Sequence, residues 1–115
     1  FEDYMVDSFL ENVLEKAPEV YYEHPVLRKL IAYDRQFKTS YLTTLKVYLR
    51  HFCNLKEAAA ELEIHYNTMK YRISMIETIT ESDLRNCDTL KTQLYLSVML
   101  HDYSEKIREG EDGHV

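Results

Sequence analysis

Apolar residues recur along this chain at intervals of three and four positions, the spacing of an amphipathic α-helix. Only two Gly and two Pro interrupt the 115 residues, which favours helices joined by short connections over a fold rich in hairpins. The chain is therefore predicted to be all-α, a helical bundle of about six helices. The predicted segments are Glu2–Lys16, Pro25–Phe37, Tyr41–Phe52, Leu55–Glu63, Asn67–Thr80 and Thr89–Arg108.

Local signals define several helix ends. Pro25 suits a first helical turn, where its missing N–H costs nothing. The third helix is predicted to be capped by Thr39 or Ser40 and to turn Phe52 inward. Asn54 followed by Glu57 three residues later is a capping-box pattern, so the fourth helix is expected to begin there.

Residues 24–108 are predicted to form one domain. Residues 1–23 are interpreted as an N-terminal helix, with Phe9 on its apolar stripe, and a connection to a region upstream of this sequence, because residue 1 is Phe and not an initiator Met. Residues 109–115 are acidic and contain both Gly, and are expected to be a disordered tail.

The segment from Asn54 to Ile79 has the requirements of a helix-turn-helix. Its first helix needs a small residue where the second helix crosses it, and Ala59 supplies one. Its second helix must present polar side chains near its N-terminal end, where base edges are reached. Anchors for packing both helices on a third have suitable spacing: Ala58, Leu62, Ile64, Met69 and Ile73.

The second helix of this pair, predicted as the recognition helix over 67–79, has two distinct faces. Met69, Ile73 and Ile76 fall on one face at helical spacing. Polar side chains fall on the other, where they are suited to phosphates and base edges. The candidate DNA-binding residues are His65, Tyr66, Asn67, Thr68, Lys70, Tyr71, Arg72, Ser74 and Lys56.

Each of these candidates also has a purely structural interpretation. The two helices are compatible with an ordinary helical hairpin in a bundle. Arg72 flanks the core face and suits an ion pair as well as a phosphate contact. Tyr71 suits packing against the third helix, and Asn67 and Thr68 suit helix capping.

The charge distribution supports a DNA-binding role for the centre of the chain more than the net charge of −6 does. Residues 38–75 hold six basic and three acidic residues, which gives +3 and leaves −9 for the rest. An acidic first helix also suits a protein-protein interaction module without DNA binding. That module is the alternative function.

No pattern of metal, cofactor or catalytic chemistry is visible. The five His lack the spacing of a metal site, and Cys53 and Cys87 form no CxxC motif. We therefore expect no cofactor, no metal and no enzyme activity. Reduced cysteines indicate a cytoplasmic protein, and no apolar run is long enough to span a membrane.

Two segments of the sequence resemble a known family. His24-Pro25-Val26-Leu27 and above all Ile64-His65-Tyr66-Asn67-Thr68-Met69-Lys70-Tyr71-Arg72-Ile73 are similar to the C-terminal domain of PucR/CdaR-like bacterial transcriptional regulators, with its signature hxHRNTLxYRLxxI. The resemblance covers about residues 24–100. The helix pair is also similar to that of the nucleoid protein Fis.

The resemblance implies sequence-specific binding of double-stranded DNA by the C-terminal domain of a transcriptional regulator of catabolic genes. It also implies that an N-terminal region absent here binds the effector. Two positions depart from the family pattern. Tyr66 stands where Arg is usual, which removes a cation, and Met69 replaces Leu in a nearly volume-conserving change.

A single module makes few DNA contacts. A homodimer on two half-sites about one turn (~34 Å) apart is therefore expected, with the first and last helices as the dimer surface.

Overall fold

The computed structural model describes residues 2–16 and 24–112, and within these ranges it contains six α-helices and no strand. The helices are α1 (Glu2–Lys16), α2 (Pro25–Phe37), α3 (Tyr41–Arg50), α4 (Leu55–Leu62), α5 (Tyr66–Thr80) and α6 (Asp88–Asp112). The prediction of an all-α fold is confirmed. None of the helices in these ranges is both long and apolar enough to cross a bilayer.

The five helices from α2 to α6 share one hydrophobic core. Every one of these helices contributes apolar side chains, and the loop before α6 adds Leu84. Leu30, Leu45, Met69, Ile73 and Leu94 are completely buried. The core also contains Val26, Leu27, Val47, Tyr48, Leu49, Ala58, Ala59, Ile76 and Val98. Because α2 packs against α5, and α3 packs against both α4 and α5, these two helices fix how the α4–α5 pair is oriented.

The beginning of α3 is fixed by a residue from α2. The Asp34 carboxylate accepts hydrogen bonds from the backbone N–H groups of Tyr41, at 2.9 Å, and Leu42, at 2.8 Å. It also accepts one from the Thr39 hydroxyl. Ser40 occupies the N-cap position but its side chain makes no capping bond. The prediction of a Thr39 or Ser40 cap was therefore wrong about the capping group, because α2 brings a carboxylate to the same amides.

The end of α3 differs from the prediction. The helix ends at Arg50, and Phe52 and Cys53 both adopt left-handed backbone angles, with φ of 53° and 65°. This turn directs Phe52 outward, where 82% of the residue is exposed. The Phe52 ring stacks on Tyr95 of α6, with centroids 6.0 Å apart. The expectation that Phe52 points inward was wrong because the helical phase stops two residues before it.

Four further helix ends move by one to four residues. α4 ends at Leu62, with Glu63 as a left-handed C-cap, and α5 begins one residue early, at Tyr66. α6 begins at Asp88 and continues to Asp112, four residues beyond the predicted end. Residues 109–112 of the expected disordered tail are thus helical, and residues 113–115 lie outside the described part.

α1 contacts α6 and lies apart from the shared core. Leu10 is buried, and the Asp7 carboxylate lies 3.5 Å from the Lys106 ammonium on α6. Met5 and Phe9 are more than half exposed, at 57% and 59%. Met5 and Phe9, two members of the apolar stripe predicted for the first helix, are therefore turned toward solvent.

Candidate nucleic-acid interface

α4 begins and ends with well-defined capping contacts. The Asn54 Oδ1 accepts a hydrogen bond from the Glu57 N–H at 3.0 Å, which confirms the predicted cap. At the other end Glu63 adopts φ 57°, and its N–H bonds to the carbonyls of Ala59 and Ala60. The Ile64 N–H donates to the Ala59 carbonyl at 3.0 Å. The turn between the helices therefore forms without glycine, at the cost of one non-glycine left-handed residue.

The buried face of α5 packs against α4 and α3 as the apolar spacing predicts. Met69, Ile73 and Ile76 are completely buried, and Ala58 and Ala59 of α4 are buried at 0% and 3% exposure. Leu62 and Ile64 are partly buried against the same core. Small side chains on α4 allow the two helices to approach closely. The predicted anchors are therefore confirmed as core residues.

His65 caps α5. Its Nδ1 accepts a hydrogen bond from the Asn67 N–H at 3.0 Å, and its carbonyl accepts one from the Met69 N–H. In a neutral imidazole, the acceptor role of Nδ1 leaves the proton on Nε2, where it is available as a donor. Because His65 performs the capping, the side chains of Asn67 and Thr68 are not needed for it and both residues are exposed.

The outer face of the first two turns of α5 is polar and accessible. Asn67, Thr68, Lys70 and Tyr71 are exposed, Tyr71 at 61%. Tyr66 is 44% exposed, and the Lys70 ammonium lies over its ring, 5.7 Å from the centroid. A cation held over an aromatic ring in this way has fewer conformations to lose when it binds an anion. Tyr71 thus presents most of its ring and hydroxyl to solvent.

The remaining candidates lie at the edges of this face. Lys56, at the start of α4, lines an open recess with Tyr66 and Asn54. Arg72 is half-buried in a groove with Ser40 and Tyr41, and within the described ranges no carboxylate lies at ion-pair distance from it. Burial raises the pKa of the Tyr41 phenol beside it. Of the two interpretations of Arg72, the ion pair is therefore not formed within the described ranges.

Two of the acidic residues of α4 have side-chain partners at the end of α3. Glu61 lies 2.7 Å from the His51 Nε2 and 3.5 Å from the Arg50 guanidinium, and Glu57 lies 3.8 Å from the His51 Nδ1. Lys56 and Lys70, in contrast, have no carboxylate partner among the residues described. The exposed face of α5 therefore keeps a positive local charge although the chain as a whole is acidic.

Ser74 is engaged by a residue that the sequence patterns do not indicate. The Arg85 guanidinium, from the loop before α6, donates to the Ser74 Oγ at 3.2 Å and contacts Glu77 at 2.9 Å. Ser74 is half-buried as a result. A contact between positions 74 and 85 depends on how the loop folds back, and helical periodicity carries no signal for it.

The described residues include no group of three or more potential metal ligands. Both cysteines are free and half-buried. Burial raises the pKa of the Cys53 thiol, while the Lys91 ammonium and a hydrogen bond with Tyr48 lower it by less. A thiol with a raised pKa is a poor nucleophile, so the local chemistry is that of a packing residue.

Comparison with known proteins gives the chain a family. Residues 41–100 match the family model of the PucR C-terminal helix-turn-helix domain. The chain is 41% identical over 92 residues to the proline-responsive transcriptional activator PutR of Bacillus subtilis (strain 168). It is 31% identical over 100 residues to the DNA-binding transcriptional activator AdeR of the same organism.

The matched region is a small part of each relative. The PutR match covers 80% of this chain and 22% of PutR, and the AdeR match covers 87% of this chain and 24% of AdeR. The purine catabolism regulatory protein of the same strain is 36% identical over 59 residues, which are 51% of this chain and 11% of that protein. No solved structure matches. The chain belongs to the family of PucR C-terminal helix-turn-helix domains of transcription regulators, as the residues from Ile64 to Ile73 indicated.

Proposed function

We propose that this domain binds double-stranded DNA sequence-specifically, with the N-terminal turns of α5 in the major groove and without any chemical step. The observation that carries the proposal is the division of α5 into two faces. Met69, Ile73 and Ile76 are buried, while Asn67 and Lys70 remain exposed within the same first turns. Recognition helices of this motif contact base edges from their N-terminal residues.

Each exposed group has a role that suits its chemistry. The Asn67 amide carries both a donor and an acceptor and suits the edge of an adenine. Lys70 suits a phosphate or a guanine, and the ring of Tyr66 holds its ammonium in place. Lys56 and Arg72, at the edges of this face, suit backbone phosphates. His65 can donate to a phosphate from Nε2.

The same proposal extends to the longer regulator in which such a domain works. Its curated relatives are about four times as long as the matched segment, and their names describe transcription regulators. We propose that a region outside this chain binds an effector, that the regulator controls catabolic genes, and that it acts in the cytoplasm. A homodimer would place two recognition helices on two half-sites. The exposed Met5 and Phe9 on α1, with Leu96 on α6, suit the dimer surface.

The test combines selection of a binding site with titration in salt. Selection from a pool of random duplexes identifies a site, and the binding constant is then measured between 50 and 300 mM salt. DNA binding requires a steep fall with salt, because each phosphate contact releases condensed counterion. Lys70→Ala is expected to weaken binding to every duplex and to reduce the salt slope by about 0.9 if one phosphate contact is lost.

Asn67→Ala is expected to leave the salt slope unchanged and to relax sequence preference by about 1–3 kcal/mol at one base pair. Lys46→Ala is the matched control, because its ammonium lies on α3 and is paired with Asp102 at 2.6 Å. Binding without salt dependence would favour a protein-interaction module. Unchanged binding by both α5 variants would exclude α5 from the groove.

A further inference from the structure

The loop between α5 and α6 holds one cationic side chain firmly against the recognition helix. The Arg85 Nε donates to the Glu77 Oε1 at 3.0 Å, and Nη2 lies 2.9 Å from the same oxygen. The backbone N–H of Arg85 donates to the other Glu77 oxygen at 3.1 Å. One carboxylate therefore fixes both the main chain and the side chain of residue 85.

The guanidinium lies on the solvent side of this carboxylate. The Arg85 side chain is 39% exposed, whereas that of Glu77 is 15% exposed. Nη2 also donates to the Ser74 Oγ, and Nη1 has no hydrogen-bond partner within the described ranges. Arg85 thus keeps N–H donors directed away from Glu77, on a side chain that has already lost most of its rotational freedom.

Ser74, which binds the Arg85 guanidinium, lies near the face of α5 that we assign to DNA. It follows Asn67 by seven residues, about two helical turns, so the two residues lie within about 20° of the same face. Ser74 is about 10 Å further along the helix axis. α5 has fifteen residues and a length of about 22 Å, while the major groove is about 12 Å wide. With its first turns in the groove, the later turns of α5 come out beside the phosphate backbone.

We propose that Arg85 is a further DNA-contacting residue, one that donates to a backbone phosphate where α5 leaves the major groove. This inference rests on the proposed function. The planar guanidinium allows one edge to bind Glu77 while the other binds a phosphate. Because Glu77 already orders the side chain, less conformational entropy is lost on binding.

Apart from Glu77, the nearby acidic residues do not occupy this guanidinium. Glu81 lies 3.7 Å from the Lys29 ammonium, and Asp83 accepts a hydrogen bond from Asn86. Asp88 lies 3.8 Å from the Lys91 ammonium. Each carboxylate of the loop therefore has a partner other than Arg85.

The experiment measures binding of a fluorescein-labelled, mixed-sequence 24-base-pair duplex between 50 and 300 mM salt. Arg85→Gln is expected to lower the slope of log K against log salt by up to about 0.9, the value for one phosphate contact. It is also expected to weaken binding at least threefold at 100 mM salt. Arg85→Lys keeps the charge and should restore most of the slope. Lys46→Gln, a charge change at a lysine of α3 that is already paired with Asp102, should leave the slope unchanged.

Arg85→Gln with the same slope and affinity as the unaltered protein would overturn the inference while leaving the proposed function intact. Absence of salt-dependent binding by the unaltered protein would instead refute the proposed function. If Arg85→Gln does not fold, the side-chain N–H resonances of Arg85 in the unaltered, ¹⁵N-labelled protein decide the matter. They shift on addition of duplex if the contact forms, and unchanged resonances would refute it.

Discussion

Replacement of Asp34 by Ala tests how α3, the support of the DNA-binding helix pair, is held in place. The carboxylate accepts hydrogen bonds from the first two amides of α3 and from the Thr39 hydroxyl, and it does so from a different helix. Asp34→Ala removes all three acceptor contacts and leaves the amides of Tyr41 and Leu42 half-buried. Ser40→Ala, at the N-cap position itself, removes a hydroxyl that makes no capping bond.

The expected loss follows from the contacts. Removal of a helix-capping side chain costs about 1 kcal/mol and at most about 2. The attraction between a carboxylate and the helix N-terminus adds about 0.3–1 kcal/mol. We therefore expect Asp34→Ala to lower the free energy of unfolding by about 2 kcal/mol. With an unfolding entropy of about 2.1 cal/mol/K per residue, this lowers the Tm of the 115-residue chain by about 8 °C.

Urea denaturation followed by circular dichroism at 222 nm measures the change, with the m-value as a check that unfolding remains two-state. Asp34→Asn should lower the free energy of unfolding by about half as much as Asp34→Ala, because the Asn side chain retains one acceptor oxygen. Ser40→Ala should stay within about 0.5 kcal/mol of the unaltered protein. Equal losses for Asp34→Ala and Ser40→Ala, or a loss below about 0.5 kcal/mol for Asp34→Ala, would refute the assignment of the cap.

Two further predictions concern the packing of the helix pair and its response to alkali. Ala59→Leu should lower the free energy of unfolding in a urea titration by about 1–3 kcal/mol, because its site is buried. Ala60→Leu, at an exposed position one residue later, should lower it by less than about 0.5 kcal/mol. A fully stable Ala59→Leu protein would show that the site has room for added bulk. Burial, and then the adjacent Cys53, raise the pKa of the Tyr48 phenol well above its usual range. The folded state therefore keeps that proton, so the stabilisation is complete below about pH 10 and is lost as pH rises above it, by at most about 1.4 kcal/mol per pH unit. Between pH 9 and 11 the urea midpoint should fall less steeply with pH in Tyr48→Phe than in the unaltered protein. Identical slopes would show that Tyr48 does not cause the loss of stability.

The sequence predicts those features of this domain that depend on neighbours within one or two helical turns. The buried face of α5 is an example, because Met69, Ile73 and Ile76 are brought together by helical geometry alone. The cap of α4 is another, since Asn54 and the Glu57 amide are three residues apart. The exposed position of Asn67 and Lys70 follows from the same periodicity.

Contacts between distant residues required the folded chain. Asp34 caps α3 only because the packing of α2 on α3 brings its carboxylate to the first amides of α3. A rule based on neighbouring residues would assign the capping to Ser40. Phe52 faces outward because α3 ends before it, in a left-handed turn. That turn contains no glycine, so the sequence does not indicate it. The engagement of Ser74 by Arg85 depends on the path of an entire loop.

The sequence by itself determined the six helices, the buried side of the recognition helix and the polar residues opposite it. Helical periodicity places side chains three, four and seven positions apart on one face regardless of the rest of the chain. The tertiary structure alone decided which of those polar residues are held by a distant partner, as Ser74 is by Arg85. That choice depends on angles between helices, which arise from the packing of the whole core and not from any local run of residues.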